Sequence, residues 1–219
     1  MIHILGAPRT GSTLLYQLVV NHFYVNYFDN TGDIHNTDAN PVPLFSVYGK
    51  TKGRHEPSEA STILSNWWGE MDRPIPEMEQ RMIMTLNAAE PIVMKNIWNV
   101  YRINEWARMF PGVQFIWIKR SIISSGRSDL RARRHQKCGL NKAFLKFGKD
   151  VSQFPEMTQI FEQQREVNKT IEEGLLGKEF ITIEYKNLCN RTEIELLRLQ
   201  HFLKVERRDR KVERLYSNE

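Results

Sequence analysis

The sequence has little cysteine and no long apolar segment, and each absence excludes a class of protein. The two cysteines, Cys138 and Cys189, are too few for a disulfide framework, and their separation fits no zinc-ligand spacing. We therefore expect a reducing compartment and predict a cytoplasmic location. No run of about 18 apolar residues is present, and the first residues lack the pattern of a signal peptide. We expect neither a membrane segment nor an export signal in this chain.

An excess of charge of one sign is also lacking. The 219 residues carry 31 Lys and Arg against 26 Asp and Glu, which gives a formal net charge of +5. The chain is 41% hydrophobic and 11% aromatic, a composition typical of a globular protein with a sizeable core. It excludes disordered, collagen-like and coiled-coil proteins. No internal repeat or linker is visible, so we predict a single domain over residues 1–219.

Short apolar runs alternate with helical patterns along the chain. The runs predict five strands, at residues 2–5, 23–28, 91–95, 114–120 and 180–184. The patterns between and after them predict seven helices, at residues 12–20, 58–68, 76–89, 97–110, 121–134, 155–173 and 192–203. Such alternation is typical of an α/β fold with a parallel sheet flanked by helices on both faces.

Two segments fit neither pattern. Residues 29–57 are rich in Asn, Asp, Gly, Thr and Pro, which predicts an irregular substrate loop or, equally, a solvated connector. Residues 204–219 form a highly charged C-terminal tail, and we expect its charges to be solvated surface.

The segment after the first strand, residues 6–13, reads Gly-Ala-Pro-Arg-Thr-Gly-Ser-Thr. It fits the phosphate-loop spacing G-x-x-x-x-G-K-[ST], except that Ser12 stands in place of the lysine. The glycines let backbone N–H groups converge, and the helix that begins near Ser12 directs its positive end to the same point. Arg9 can supply the cation that the missing lysine would have supplied. The segment predicts an anion site, and its alternative is a plain strand-to-helix turn.

Basic residues end two other predicted strands, with Lys95 on one and Lys119 and Arg120 on another. In parallel sheets the ligand site lies at the carboxyl ends of the strands, so these cations are expected beside the loop. A nucleoside triphosphatase would need an acid there to hold Mg²⁺. Bases instead favour a site without a metal, in which side chains neutralise a polyanionic nucleotide directly.

These motifs resemble those of the sulfotransferases, which transfer a sulfuryl group from 3′-phosphoadenosine 5′-phosphosulfate (PAPS) to a hydroxyl or amine. Residues 6–15 look like the family's 5′-phosphosulfate loop. Arg120 with Ser128, eight residues later, is similar to the pair that holds the 3′-phosphate. Lys95 resembles the strand-end lysine of the protein-tyrosine and carbohydrate sulfotransferases, and Tyr185 lies in a segment similar to the family's Tyr-Glu-Asp-Leu element. The resemblance covers residues 2 to about 203.

The sequence also departs from the family pattern. Ile122 replaces a proline, and Lys186 replaces the acid after the tyrosine. Ala132 stands where some members have a second arginine for the 3′-phosphate, although neighbouring arginines are near enough to replace it: Arg127, Arg131, Arg133 and Arg134. No clear counterpart of the family's glycine-containing C-terminal nucleotide loop follows residue 203.

The resemblance implies a phosphate-loop sulfotransferase fold and a PAPS-dependent enzyme that uses in-line displacement and no metal. Its motifs imply that the donor is bound by Gly6, Pro8, Arg9, Thr10, Gly11, Ser12, Thr13, Leu14, Arg120, Ser128 and Tyr185. Arg9 and Lys95 would stabilise the charge that develops on the leaving nucleotide. The acceptor stays open between a carbohydrate, a tyrosine and a small alcohol.

The catalytic base that accepts the acceptor's proton has three candidates. Asp29, 20 residues after Arg9, lies close to where related enzymes have a Glu, and it is equally a turn acid. His55 follows Lys52 in a segment that resembles one of the cytosolic sulfotransferases, and imidazole suits proton transfer near neutral pH. Glu59 is the third candidate, or else an acid in the first turn of a helix.

Aromatic residues near these candidates offer a surface for the acceptor. One of Trp67 and Trp68, together with Trp98 or Tyr48, could stack on a sugar ring or an aromatic acceptor. At least one of the adjacent tryptophans is expected in the core, because neighbours on a helix point in different directions.

Two other functions remain open from the residues alone. A small-molecule phosphate-loop kinase would share the loop, and a catalytically inactive nucleotide- or polyanion-binding module would share the cations. The basic stretch at residues 127–137 also admits nucleic acid, but it has no interleaved aromatics and contains Ser128, so a role beside a nucleotide is favoured. The oligomeric state is not indicated.

Overall fold

The fold is described from a computed structural model of the chain. The structure describes residues 1–32, 34–36, 41–44, 51–59, 90–135, 153–212 and 215. The described strands are β1 (Ile2–Leu5), β2 (Asn26–Phe28), β3 (Ile34–Asn36), β4 (Ile92–Lys95), β5 (Gln114–Lys119) and β6 (Phe180–Glu184). The described α-helices are α1 (Ser12–His22), α2 (Ile103–Met109), α3 (Ile122–His135), α4 (Glu156–Leu175), α5 (Tyr185–Asn190) and α6 (Thr192–Leu203). A 3₁₀ helix spans Ile97–Tyr101.

These strands form one sheet in the order β3-β2-β4-β1-β5-β6. Five of them are parallel, and β1 lies at the centre with His3 opposite Met94 of β4 and Phe115 of β5. Only β3 is antiparallel, paired with β2. The predicted parallel α/β sheet is confirmed, and its carboxyl ends meet at one edge.

The two faces of the sheet carry separate cores because side chains alternate along each strand. Phe115 and Trp117 of β5 pack on one face with Trp106 of α2 and Val167 of α4. The intervening Ile116 and Ile118 pack on the other face with residues of α1 and α6. Both faces are covered, which explains why the inner strands read as continuous apolar runs rather than as alternating ones.

The structure differs from the predicted elements at several boundaries. The strand predicted at 23–28 contains only Asn26–Phe28, and Phe23 makes an isolated bridge with Arg207 instead. The helix predicted at 97–110 is divided at Arg102, whose φ of −123° and ψ of 17° are not helical. Its first part is 3₁₀ and begins where the Asn96 side chain accepts a hydrogen bond from the Trp98 N–H. Strand β3 lies within the segment predicted to be irregular, and α5 was not predicted.

The expectation that the charges of the C-terminal tail are solvated is wrong for Arg208, which is buried, and for Arg207, which is half-buried. The backbone N–H of Arg208 donates to the His22 carbonyl at 2.8 Å, and its Nε donates to the Phe23 carbonyl at 3.0 Å. Arg208 is consequently buried, and Arg207 forms an ion pair with Glu193. The carbonyls at the C-terminal end of a helix lack partners within the helix, and here the tail supplies them.

Several predictions fall on residues that the structure does not describe. They include the helix at 76–89, most of the helix at 58–68, parts of the loop at 29–57 and the side chains of Tyr48, Trp67, Trp68 and Cys138. Cys189 is buried. Among the helices in the described ranges, none combines the length and the apolar character needed to cross a membrane.

Candidate active site

Residues 6–13 form a tight turn between β1 and α1, and its two glycines permit close contacts. A Cβ on Gly11 would lie 2.4 Å from Cδ2 of Tyr185, and the φ of Gly11 is +97°. A Cβ on Gly6 would lie 2.8 Å from Cγ2 of Ile118. Only glycine fits at either position, because both the ring and the strand contact the loop backbone directly.

The N-terminus of α1 opens onto this turn. Gly11 is the residue that precedes the helix, and no side chain caps the helix end. The first backbone N–H groups of a helix have no partner within it, so they can donate to an anion. Ser12 is buried, Thr13 and Leu14 are half-buried, and Leu14 packs against the core formed with α1. Thr10 is buried and donates from its hydroxyl to the Ala7 carbonyl at 2.8 Å.

Arg9 has a left-handed backbone with a φ of 66°, which is unusual for a residue other than glycine. Arg120 donates from Nη1 to the Arg9 carbonyl at 3.3 Å. The side chain of Arg9 extends to helix α3, where its Nε donates to Oγ of Ser128 at 3.5 Å. Strained backbone persists where surrounding contacts determine it, and these contacts fix the direction of the Arg9 guanidinium.

Arg120 and Tyr185 lie on the far side of the loop. Arg120 follows β5, and its guanidinium carbon lies 4.2 Å from the centroid of the Tyr185 ring. Tyr185 is the first residue after β6. The amine of Lys119 lies 3.7 Å from the centroid of Trp117, and so this cation packs on that ring. The cation–π contact with Tyr185 holds the Arg120 guanidinium beside the loop.

Lys95 ends β4 and is buried, with only 5% of its side chain exposed. Its amine donates to Oγ1 of Thr13 at 3.2 Å and forms an ion pair with the carboxylate of Glu59. Asn96 holds the same segment by donating from Nδ2 to the Glu59 carbonyl at 2.8 Å. A buried ammonium group requires such partners, and here they join the loop to the carboxylate.

Asp29 and His55 form a second polar pair beside the end of β2. Oδ2 of Asp29 lies 2.9 Å from Nδ1 of His55, and the carboxyl group is fully buried whereas 59% of the His55 side chain is exposed. Oδ1 of Asp29 accepts from the Thr31 N–H at 2.8 Å and from the Thr31 hydroxyl at 2.6 Å. Both carboxylate oxygens of Asp29 are therefore engaged, and the residue orients His55.

All five parallel strands deliver a candidate residue to one edge of the sheet. The contributions are residues 6–13 after β1, Asp29 after β2, Lys95 at the end of β4, Arg120 after β5 and Tyr185 after β6. This is the edge at which α/β sheets bind their ligands.

The comparison with known families agrees with this arrangement. A family model described as the sulfotransferase family matches residues 2–209. The chain belongs to the sulfotransferase family. The resemblance inferred from the motifs is thereby confirmed, and sulfotransfer is the general activity of this protein.

Solved sulfotransferase structures share the fold at low sequence identity. The sulfotransferase domain from the curacin biosynthetic pathway has a TM-score of 0.60 and 17% identity over 98% of this chain and 79% of that one. The domain from the olefin synthase of Synechococcus PCC 7002 has a TM-score of 0.55 and 16% identity over 94% and 73%. Sulfotransferase STF9 from Mycobacterium avium has a TM-score of 0.58 and 14% identity over 93% and 63%. No curated protein sequence is a significant match.

The candidate site also contains residues that the sequence motifs did not reveal. Gln164 of α4 is buried and donates from Nε2 to the Pro8 carbonyl at 2.6 Å. Gln164 lies on the same helix face as the apolar Ile160, Val167 and Ile171. A polar residue within an apolar stripe is the sequence signal by which Gln164 could have been predicted. Asn96, which holds Glu59, carried no such signal.

A buried ion pair lies behind Ser128 on the same helix. Asp129 and Arg133 are both buried, and Nη2 of Arg133 lies 2.9 Å from Oδ2 of Asp129. Burial raises the pKa of the Asp129 carboxyl, while Arg133 and Arg9 act in the opposite direction. Arg133 is thus engaged by Asp129, and Arg134 pairs with Glu156 at 3.2 Å.

Proposed function

We propose that this sulfotransferase takes its sulfuryl group from PAPS and transfers it to a hydroxyl or amine by in-line displacement. The contact between Arg9 and Ser128, 119 residues apart in the chain, carries the proposal. It joins the loop expected to hold the 5′-phosphosulfate to the helix expected to hold the 3′-phosphate. A ligand with two separated anionic groups could contact the loop with one group and the helix with the other.

The residues present fit such a donor. The N–H groups at the start of α1 and the guanidinium of Arg9 would hold the 5′ group, and the crowded Gly6 and Gly11 would let backbone approach it closely. Arg120 and Ser128 would bind the 3′-phosphate. Arg131, one turn after Ser128 and exposed, is the arginine best spaced to assist them.

PAPS supplies the sulfuryl group and departs as adenosine 3′,5′-bisphosphate. Charge grows on its bridging oxygen as the S–O bond breaks, and Arg9 and Lys95 would stabilise that charge. The Lys95 amine is placed for this role because it donates to Thr13, the loop residue that corresponds to the Mg²⁺ ligand of phosphate-loop nucleoside triphosphatases. A cation at that hydroxyl supports a reaction without a metal.

Glu59 is the base that the geometry favours. Its carboxylate contacts the Lys95 amine and keeps 30% of its side chain exposed, so an acceptor can reach it beside the leaving group. The acceptor's proton would pass to Glu59 as the new O–S bond forms. Asp29 is buried with both oxygens engaged, which supports an orienting role.

His55 is the second candidate base, supported by its exposed ring and by the carboxylate that orients it. An imidazole held at Nδ1 by a buried carboxylate presents Nε2 for proton transfer. Glu59 and His55 would each take the same proton from the substrate hydroxyl or amine. The proposal of sulfuryl transfer therefore does not depend on which of the two is the base.

The direct test is binding of adenosine 3′,5′-bisphosphate by thermal shift, with and without Mg²⁺, followed by transfer of ³⁵S-labelled sulfate from PAPS to pooled alcohols, glycans and tyrosine peptides. We expect a stabilisation that does not depend on the metal, and labelled product. A stabilisation by ATP that requires Mg²⁺ would identify a kinase instead. Binding without transfer to any acceptor class would favour the inactive nucleotide-binding module.

A further inference from the structure

Helix α4 contacts the phosphate loop although none of its residues belongs to a motif that resembles the family's. Gln164, only 1% exposed, donates a hydrogen bond of 2.6 Å to the Pro8 carbonyl. Gly126 of α3 lets α3 and α4 approach closely enough for this, since a Cβ there would lie 2.7 Å from Cε1 of Phe161. The glutamine therefore reaches the loop from outside the sheet.

The orientation of the Gln164 amide follows from its partner. A carbonyl oxygen can only accept, so the amide nitrogen must face Pro8 and the amide oxygen must face away. That oxygen lies 3.3 Å from Oγ of Ser125, whose hydroxyl is also 3.0 Å from the Ser121 carbonyl. Ser125 precedes Ser128 by three residues on α3. One side chain thus donates to the loop that carries Arg9 and contacts the helix that carries Ser128.

We propose that Gln164 is a positioning residue that fixes the Pro8–Arg9 peptide and holds the loop and α3 in register for one nucleotide. Arg9 keeps its left-handed backbone only where its surroundings determine it, and the peptide that precedes it is anchored by Gln164. The Pro8 carbonyl is buried and loses a strong donor when Gln164 is replaced.

A second buried contact joins the same two helices. Arg133 of α3 donates to the side chain of Gln163, the neighbour of Gln164, and is itself bonded to Asp129. Successive glutamines of α4 thus anchor α3 at two points, on either side of Ser128. Replacing Gln164 leaves the Gln163 anchor in place, so the helices stay packed and the effect is confined to the loop.

The test compares Gln164→Met with Gln159→Met. Gln159 is a matched control, because it lies on the same helix, is buried and donates to a backbone carbonyl, that of Phe154 at 2.7 Å. We expect similar losses of Tm in the two variants. Only Gln164→Met should speed amide hydrogen exchange at residues 9–13 in the ligand-free protein and raise the Kd for adenosine 3′,5′-bisphosphate by about tenfold.

A second variant, Gln164→Glu, supplies a pH signature that a general loss of stability does not produce. A protonated carboxyl group can donate to the Pro8 carbonyl, whereas an ionised one cannot. The quantity to follow is the ratio of the loop's exchange rate in Gln164→Glu to its exchange rate in the unaltered protein at the same pH. This ratio should fall towards one as the pH is lowered.

The nucleotide part of this inference rests on the proposed function, and the two can fail separately. Loop exchange in Gln164→Met as slow as in Gln159→Met would overturn the positioning role, whether or not the nucleotide binds. If the unaltered protein fails to bind adenosine 3′,5′-bisphosphate while Gln164→Met still loosens the loop, the donor assignment falls and the positioning role is supported.

Discussion

The buried amine of Lys95 donates a hydrogen bond to the hydroxyl of Thr13, 3.2 Å away on the neighbouring strand's loop. The same amine contacts the Glu59 carboxylate. A single cation therefore lies between a residue expected to bind the donor and a carboxylate expected to accept a proton.

Lys95→Met should lower kcat by about 10²- to 10³-fold, because it removes a cation from the developing charge. Binding of adenosine 3′,5′-bisphosphate should change far less, since the 3′-phosphate contacts remain. Single-turnover rates and Kd values separate the two effects. Lys169→Met is the matched control, an exposed lysine of α4 paired with Glu173 at 3.8 Å, and it should leave both unchanged. Equal kcat in the two variants would remove Lys95 from the mechanism.

Glu59→Gln should lower kcat strongly, because the amide cannot take the acceptor's proton. Its control is Glu56→Gln, in the same segment, where the carboxylate accepts from the Lys52 N–H at 3.2 Å. The measurement is kcat for both variants and for His55→Gln. A strong loss of kcat in His55→Gln with a normal kcat in Glu59→Gln would assign the base to His55.

Ser128→Ala should weaken binding of adenosine 3′,5′-bisphosphate by about ten- to a hundredfold, the usual effect of losing a hydrogen bond to a charged group. Adenosine 5′-phosphate lacks the 3′-phosphate, so its binding should not change. Arg9→Ala should weaken both ligands. Thr170→Ala removes an exposed hydroxyl of α4 that donates to the Glu166 carbonyl and serves as the control. Unchanged binding in Arg9→Ala and Ser128→Ala would show that the site assignment is incorrect.

His3 predicts a loss of stability in mild acid. Its ring is fully buried between Asn99, whose amide is 3.2 Å from Nδ1, and Trp106, whose ring centroid is 4.3 Å away. Burial lowers the pKa of His3 to about 3, so the folded protein does not take up the proton that the unfolded chain binds below its ordinary pKa of 6.5. Stability is therefore full above that value and is lost as the pH falls below it.

The expected loss from His3 is about 2 kcal/mol between about pH 7 and about pH 5. Urea unfolding across this range measures it. His3→Phe should flatten the slope, although not fully, because burial also lowers the pKa of His22 to about 4. An unchanged slope in His3→Phe would show that His3 is not the titrating group.

The sequence predicted the sheet well because the parallel strands are mostly continuous apolar runs that are followed by a charged residue or a glycine. Ile2–Leu5 and Phe180–Glu184 were predicted to the residue. The antiparallel β3 was missed, since its three residues lie in a polar segment and gain their place only by pairing with β2. The tail at Arg207 and Arg208 was predicted as solvated because charge is a local property, whereas Arg208 donates to the carbonyl of Phe23, 185 residues away in the chain.

The candidate site was predictable where chemistry and spacing coincide, as at Arg9, Arg120 and Ser128. The structure brings these three together, and their roles remain predictions. The sequence does not rank the three candidate bases, and only their contacts distinguish the buried Asp29 from Glu59, which contacts Lys95. Gln164 appears in the sequence only as a polar residue in an apolar stripe, and no residue pattern specifies that its amide donates to the Pro8 carbonyl.

The strand order divides the proposed chemistry along the sheet. Strands β1, β5 and β6 lead to the residues assigned to the nucleotide, whereas β2 and β4 lead to Asp29, Lys95 and the segment that carries His55 and Glu59. Exchanging the segment at 51–59 between relatives should therefore alter which alcohol is modified while the donor site stays intact. The proposed donor half and acceptor half of the site thus lie on different strands, and Lys95 of β4, the strand next to β1, joins them through its contact with Thr13.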